Sequence, residues 1–208
     1  MHIADGVLPV SVSLVGYALT LAGVGYSLRR LDSANLPKVA VVTSSFFVAS
    51  LVHLPLGPTS VHLLLPGIVG ALLGPAAFLS ITIGLFLQSI LFQFGGLTAL
   101  GANNLMMGLP ALLAGFVFPR IRGRTRTSNA LAGILVSGGG VLLAGLLLAA
   151  LLATAGEDFW GVAKLAVAAH VPVMLIEGGV GGCTVAFLFQ VKPELLAVQS
   201  FSGPRNEQ

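Results

Sequence analysis

The feature that most constrains this chain is a stretch with no Asp, Glu, Lys or Arg, which extends from residue 39 to residue 119. A second such run extends from Ala130 to Gly156. Each run is longer than a helix in a soluble core requires, whereas about 20 apolar residues cross a bilayer. With 56% hydrophobic and 8% charged residues, a chain of 208 residues has too few polar side chains to cover a soluble globule. We therefore expect an integral membrane protein in a lipid bilayer.

The apolar runs predict helices. A membrane β-barrel would show segments of roughly ten residues that alternate between apolar and polar, whereas these runs are continuous and rich in Leu, Ala and Gly. The fold class is therefore all-α. The formal charge of +3 does not indicate nucleic-acid binding, because the basic residues lie in separate loops, as the positive-inside rule predicts. The single cysteine, Cys183, provides neither a disulfide framework nor a cysteine metal cluster.

The basic loops predict the topology. A first span, Val10–Leu28, ends at RRLDSANLPK, and the next basic cluster is PRIRGRTRTSN. Both loops should be cytoplasmic, so an even number of crossings separates them, and the length allows four. Spans at Leu131–Thr154 and Val171–Gln190 complete a bundle of about seven transmembrane helices, with the N-terminus outside and the C-terminus cytoplasmic. We expect one membrane domain over 1–192 and a short polar cytoplasmic tail over 193–208.

The chain opens with the residues MHIADGVLP. A signal peptide carries its positive charge before its apolar segment, but here the basic pair Arg29-Arg30 follows that segment. We therefore expect an uncleaved first helix. An initiator methionine is generally removed only before a small residue, so His2 should leave Met1 in place with a free amine.

Met1 and His2 then offer three nitrogens in one plane. The amine and the His2 peptide nitrogen close a five-membered ring on a metal, and the peptide nitrogen with Nδ1 of His2 closes a six-membered ring. A second imidazole, for which His62 is the candidate, would complete the square-planar set that suits Ni(II) or Cu(II). Ca(II), Mg(II) and Mn(II) favour oxygen ligands and are disfavoured. The alternative is a chance histidine at a frayed terminus.

Three further polar residues lie in or beside the apolar runs. His53 could be a second-shell donor, a substitute ligand or an interfacial histidine, and the last is the preferred interpretation. His170 is interpreted as interfacial, at the outer end of the last helix. Glu177 lies inside the last predicted span, where a carboxylate is costly, so it should be paired, protonated or functional. A Ser or Thr of a neighbouring helix could hydrogen-bond it.

Small residues recur at helical spacing in the patterns Gly67-x-x-x-Ala71 and Gly70-x-x-x-Gly74. Such spacing allows helices to approach closely. It favours packing inside the bundle over a docking face for a partner.

Four stretches resemble the substrate-binding (S) component of energy-coupling-factor nickel/cobalt transporters, the NikM/CbiM family. They are MHIADGVLP, LGPTSVHLLLPGIVGALLG, LQSILFQFGGLTALGANNLMMGLP and HVPVMLIEGGV, and the similarity extends along nearly the whole chain. The resemblance implies that Met1 (amine), His2 (backbone and imidazole nitrogens) and His62 (imidazole) hold the metal. It also implies that the GGLTALGANN loop, including Asn103, covers the site, and that Asp5 with Ser60 holds the N-terminal segment.

The resemblance further implies a capture subunit for Ni(II) or Co(II), with no organic cofactor, in a prokaryotic cell (inner) membrane with the metal site facing outside. Its partners would be a membrane-embedded coupling protein and two cytoplasmic ATPase subunits, with or without a small accessory membrane subunit. The sequence contains no Walker A motif, so ATP hydrolysis is expected on the partners, and this chain is not expected to be an enzyme. Because the chain ends soon after the last predicted helix, any accessory subunit should be separate. The loop sequence TSVH favours nickel.

The alternative is a gradient-driven secondary transporter or channel for a metal ion or a small solute. Such a carrier typically has paired intramembrane acids or discontinuous-helix repeats, and only Glu177 is available. An intramembrane protease is a more distant third hypothesis, because the chain shows no convincing pair of nucleophile and base.

Overall fold

The computed structural model describes residues 2–56 and 59–196, with the backbone alone at residues 53–56, 59–61 and 158. This part of the chain is mainly helical. Its seven α-helices are α1 (Val10–Arg30), α2 (Leu36–Ala49), α3 (Pro66–Leu73), α4 (Ala77–Phe92), α5 (Leu100–Ile121), α6 (Arg126–Ala153) and α7 (Trp160–Val191). An antiparallel hairpin of β1 (His53–Leu56) and β2 (Thr59–His62) separates α2 from α3.

Five segments of the described chain are long and apolar enough to cross a membrane. They are α1, the combined α3–α4 segment Pro66–Phe92, α5, α6 and α7. Their outer surfaces carry exposed leucines such as Leu21, Leu135 and Leu165, as lipid-facing surfaces require. The expected multi-pass helical membrane protein is confirmed. Helices α2, with 14 residues, and α3, with 8, are each shorter than a full crossing requires, so the number of seven crossings stays a prediction. The orientation of the termini stays a prediction as well.

The last helix is longer than the sequence pattern predicted. It begins at Trp160 rather than near Val171, and Pro172 lies inside it. Membrane helices tolerate an internal proline where neighbouring groups satisfy the freed backbone. As a result His170 lies within α7 and is buried, with Nδ1 2.7 Å from the carbonyl oxygen of Ala166. The prediction that His170 lies at the outer end of the last helix is wrong.

Helix α3 lies in the interior because its glycines let other backbones touch it. A Cβ added to Gly67 would lie 2.3 Å from Cα of Ser137 in α6, and one added to Gly70 would lie 2.1 Å from the carbonyl oxygen of Ala111 in α5. These distances leave room only for a hydrogen atom. The predicted role of the small residues in internal packing is therefore confirmed at these two positions.

The buried carboxylate of Glu177 joins α7 to the segment that follows the hairpin. Its two oxygens accept hydrogen bonds from the backbone N–H groups of Leu64 and Leu65, the latter at 2.8 Å. Leu65 has a φ of 53°, in the left-handed region that a leucine rarely adopts. The expected pairing of Glu177 is confirmed, but its partners are backbone amides and not a Ser or Thr hydroxyl.

The glycine contacts predict a contrast between two alanine substitutions. Gly67→Ala should destabilise the protein by about 1–3 kcal/mol, since a methyl group would collide with the backbone of α6. Gly139→Ala, in the same bundle, meets no atom within 4 Å and should leave stability unchanged or slightly raised. Thermal unfolding of the two variants in detergent tests this. Equal melting temperatures would contradict the packing described here.

Candidate metal site

The N-terminal segment is fixed against α5 by one side chain. The Oδ1 atom of Asn103 accepts a hydrogen bond from the backbone N–H of Ile3 at 2.8 Å, and its Nδ2 donates to the carbonyl oxygen of Ile3 at 2.9 Å. Ile3 and Asn103 are 3% and 1% exposed, so both bonds are shielded from water. The backbone next to His2 therefore has a defined position, although chain ends usually fray.

Asp5 forms a second attachment, at the start of α5. Its Oδ1 accepts hydrogen bonds from the Thr98 hydroxyl at 2.6 Å, the Thr98 N–H at 2.8 Å and the Ala99 N–H at 3.2 Å. These bonds satisfy amides near the helix N-terminus that have no partner within the helix. The hydroxyl bond is the main cause that lowers the pKa of Asp5. The carboxylate thus stays charged at neutral pH, and its stabilising effect is lost only as the pH falls through the lowered pKa.

Two glycines of the GGLTALGANN loop permit this close approach. Gly95 and Gly96 have φ values of 84° and 87°, a region that other residues rarely adopt. A Cβ on Gly96 would lie 2.2 Å from Cγ of Asp5, and one on Gly95 would lie 2.9 Å from Cβ of His2. The loop therefore lies directly against the N-terminal segment, where it was expected to cover the site.

His2 and His62 are in contact. Their imidazole rings stack with centroids 4.9 Å apart and an interplanar angle of 17°, and Phe94 stacks on His2 at 6.5 Å. His62 is 7% exposed, and the Nε2 atom of His2 is buried. Burial is the main cause that lowers the pKa of His2 well below its ordinary value, and His62 lowers it further. A neutral imidazole is the form that can bind a metal.

His62 is positioned by the hairpin and by α7. It ends β2, where its Cα is paired with that of His53, and its Nδ1 lies 3.1 Å from the carbonyl oxygen of Leu63. The next two backbone amides bind Glu177. The chain immediately after the second imidazole is therefore held by a helix that begins about a hundred residues later in the sequence.

The two imidazoles are not accompanied by a third ligating side chain among the described residues. Within that part of the chain, no group of three or more His, Cys, Asp or Glu is placed to hold a metal ion. The chelate hypothesis adds nitrogens of the main chain and the N-terminus to these two imidazoles.

The structure brings some of the predicted site residues together and describes others only in part. His2 and His62 come together, and Asp5 and Asn103 hold the N-terminal segment. Met1 lies outside the described residues. For His53 and Ser60 only the backbone is described, in the hairpin register His53↔His62 and Pro55↔Ser60. The assignment of metal ligands therefore stays a prediction.

Sequence reasoning missed three groups at the site. Thr98 donates a hydrogen bond to Asp5, Phe94 stacks on His2, and Gln88 of α4 accepts a backbone hydrogen bond from Phe94 and so lies beside His2. Thr98 lies inside the covering loop and Phe94 directly precedes it, so a residue-by-residue examination of that segment could have found both. Gln88 carries no signal of its own, because a single glutamine in an apolar helix resembles an ordinary buried polar residue.

The fold and the site together define a multi-pass helical membrane protein in which the imidazoles of His2 and His62 meet where the N-terminal segment packs on the helices. The chain belongs to the family described as the cobalt uptake substrate-specific transmembrane region, CbiM, whose model matches residues 2–195. This match confirms the resemblance found in the sequence. The family is a transport component.

Individual relatives agree with this membership. A Haemophilus influenzae protein with the provisional name metal transport protein is 35% identical over 205 residues, covering 94% of this chain and 97% of that protein. The cobalt transport protein CbiM of Sorangium cellulosum is 30% identical, covering 94% of each chain. The crystal structure of a truncated transition metal transporter has a TM-score of 0.67 at 24% identity, covering 91% of this chain and 99% of that one, and it supports the fold.

The Asn103 contacts predict how the N-terminal segment would be released. Asn103→Ala removes both hydrogen bonds to Ile3, so amide hydrogen exchange in residues 2–8 should rise by about tenfold or more, for bonds of about 1 kcal/mol each. Asn129→Ala is the control, because Asn129 binds Gly123 and Thr125 between α5 and α6. Mass spectrometry of peptic peptides measures the exchange. Unchanged exchange in Asn103→Ala would show that other contacts hold the segment.

Proposed function

We propose that this protein captures Ni(II) or Co(II) at its N-terminus and serves as the substrate-specific subunit of an ATP-driven energy-coupling-factor transporter. The observation that carries the proposal is the stack of His2 and His62, in a chain whose N-terminal backbone is fixed one residue later at Ile3. The amine of Met1, the peptide nitrogen of His2 and the two imidazoles would form the four-nitrogen set. Such a set suits late first-row metals.

The metal site is proposed to face the outside of the cell. Helices α1 and α5 both follow segments that contribute to the site, and both end in basic residues, Arg29 and Arg30 in α1 and Arg120 in α5. A helix that starts at the site therefore ends at a positively charged boundary. By the positive-inside rule that boundary is cytoplasmic.

The proposed coupling protein and ATPases would act on this chain from the membrane and the cytoplasm. Two hydrogen bonds join chain segments at the positively charged boundary of the bundle. Lys38 donates to the carbonyl oxygen of Leu195 at 2.9 Å, and Arg122 donates to that of Leu196 at 2.7 Å. These hydrogen bonds connect the segment after α7 to α2 and to the end of α5, and such a connection would transmit motion from cytoplasmic subunits to the bundle. Uptake of radioactive nickel by cells should require the partner subunits and an intact ATPase. Uptake driven by the proton gradient without them would favour a secondary transporter.

The chelate is tested by a two-residue insertion, Leu-Gln between Met1 and His2. A single inserted residue would place the histidine at the third position of the chain, where it forms a planar nickel chelate without a second imidazole. Two residues are therefore inserted. Leucine as the new second residue keeps the initiator methionine. The insertion breaks both chelate rings and should lower Ni(II) affinity by more than about 100-fold, since changes outside the donor set alone cause about 10–100-fold.

Equilibrium dialysis of protein purified without a polyhistidine tag measures the bound nickel. The matched control carries the same dipeptide between Asn206 and Glu207, and His62→Ala tests the fourth donor. Both changes at the site should abolish the absorption band of planar Ni(II), while the control retains it. Wild-type affinity in the insertion variant would rule out the amine and the His2 peptide nitrogen as ligands.

A further inference from the structure

A buried glutamine lies beside His2, and its amide group has a fixed orientation. Gln88 is 1% exposed and donates from Nε2 to the hydroxyl oxygen of Ser50. The Ser50 hydroxyl donates its only proton to the carbonyl oxygen of Phe47, at 2.7 Å. The serine oxygen can therefore only accept here, so the NH2 group of Gln88 must face it. The Oε1 atom of Gln88 therefore faces away from Ser50.

Two buried polar atoms beside each other at this position have no formed hydrogen bond, and one can donate to the other. Oε1 of Gln88 and Nε2 of His2 are both buried without a formed hydrogen bond. The two residues are neighbours, because the carbonyl oxygen of Gln88 accepts a hydrogen bond from the backbone N–H of Phe94 at 3.3 Å and the Phe94 ring stacks on the His2 imidazole. A contact with Gln88 also opposes the lowering of the His2 pKa by burial. The two atoms do not form a hydrogen bond with each other in the structure. Buried polar atoms in native structures are almost always paired.

The chemistry of imidazole determines which atom donates and which accepts in this contact. A neutral imidazole carries one proton, on either Nδ1 or Nε2. Coordination through Nδ1 requires the proton to be on Nε2, and the partner of that N–H fixes the tautomer and the ring orientation. Oε1 of Gln88 can only accept, so it matches the tautomer that leaves Nδ1 of His2 available.

We propose that Gln88 is a positioning residue, which accepts a hydrogen bond from Nε2 of His2 and so presents Nδ1 of His2 to the transported metal. Ser50 holds Gln88 in the required orientation. The inference rests on the proposed function, in which Nδ1 of His2 is a ligand. It adds a series of three side chains, from Ser50 at the C-terminal end of α2 through Gln88 of α4 to His2, in which only the imidazole is a proposed ligand.

The first test compares Ni(II) affinity in three variants. Gln88→Leu removes the acceptor at similar volume and should weaken binding by about 10–100-fold. Gln88→Glu keeps an acceptor and should bind close to wild type. Ser89→Ala is the matched control, since Ser89 is also buried but donates only to Phe86 in its own helix. Wild-type affinity in Gln88→Leu, or equal losses in the Leu and Glu variants, would overturn the inference.

A spectroscopic readout separates positioning from ligation. The planar Ni(II) absorption band of Gln88→Leu should keep its wavelength when enough nickel is added, because the four donors are unchanged. A shifted band would mean that Gln88 itself contacts the metal, which contradicts a positioning role.

A metal-free measurement keeps the inference testable if the proposed function fails. In protein labelled with 15N-histidine, the His2 signal, identified by its loss in His2→Gln, should report the Nε2–H tautomer. Gln88→Leu should introduce the Nδ1–H tautomer. The same tautomer in both proteins would overturn the role of Gln88. Absence of nickel binding by the wild type would instead refute the proposed function.

Discussion

The site depends on the pair of hydrogen bonds between Asn103 and the backbone of Ile3. A chain end in solution samples many conformations, and a chelate that uses main-chain nitrogens needs that end in a single one. Asn103 supplies both a donor and an acceptor to the same residue, in a setting shielded from water. Asp5 adds a charged attachment to the start of α5. The N-terminal segment thereby becomes part of the rigid bundle.

The two imidazoles reach the site from different supports. His2 is carried by a segment attached to α5, whereas His62 ends a hairpin whose exit is attached to Glu177 of α7. Their separation therefore depends on how α5 and α7 sit relative to each other. Helices α5 and α7 both pack on α6. A small displacement within this group would change the distance between the imidazoles without breaking either attachment.

Much of this arrangement could be predicted from the sequence, because the decisive patterns are local. The uncharged run from 39 to 119 predicts membrane helices, and the position of His2 beside a free amine predicts a chelate. The start of α7 was predicted wrongly because Pro172 resembles a helix boundary. The partners of Glu177 could not be predicted, since backbone amides leave no signature in the residue types. Gln88 was missed for a related reason, because its role depends on which of its two amide atoms faces His2.

The bonds that build the site also determine when it can form during synthesis. The Ile3 to Asn103 bonds join residues 100 positions apart, and the Leu64 to Glu177 bond joins residues 113 positions apart. Contacts of such long range form late, after the intervening chain has been made and inserted. A nascent chain that has not yet produced α7 holds His2 but has nothing to fix the exit of the hairpin. Under the proposed function, the complete four-nitrogen site would therefore form only after α7 has been made and inserted.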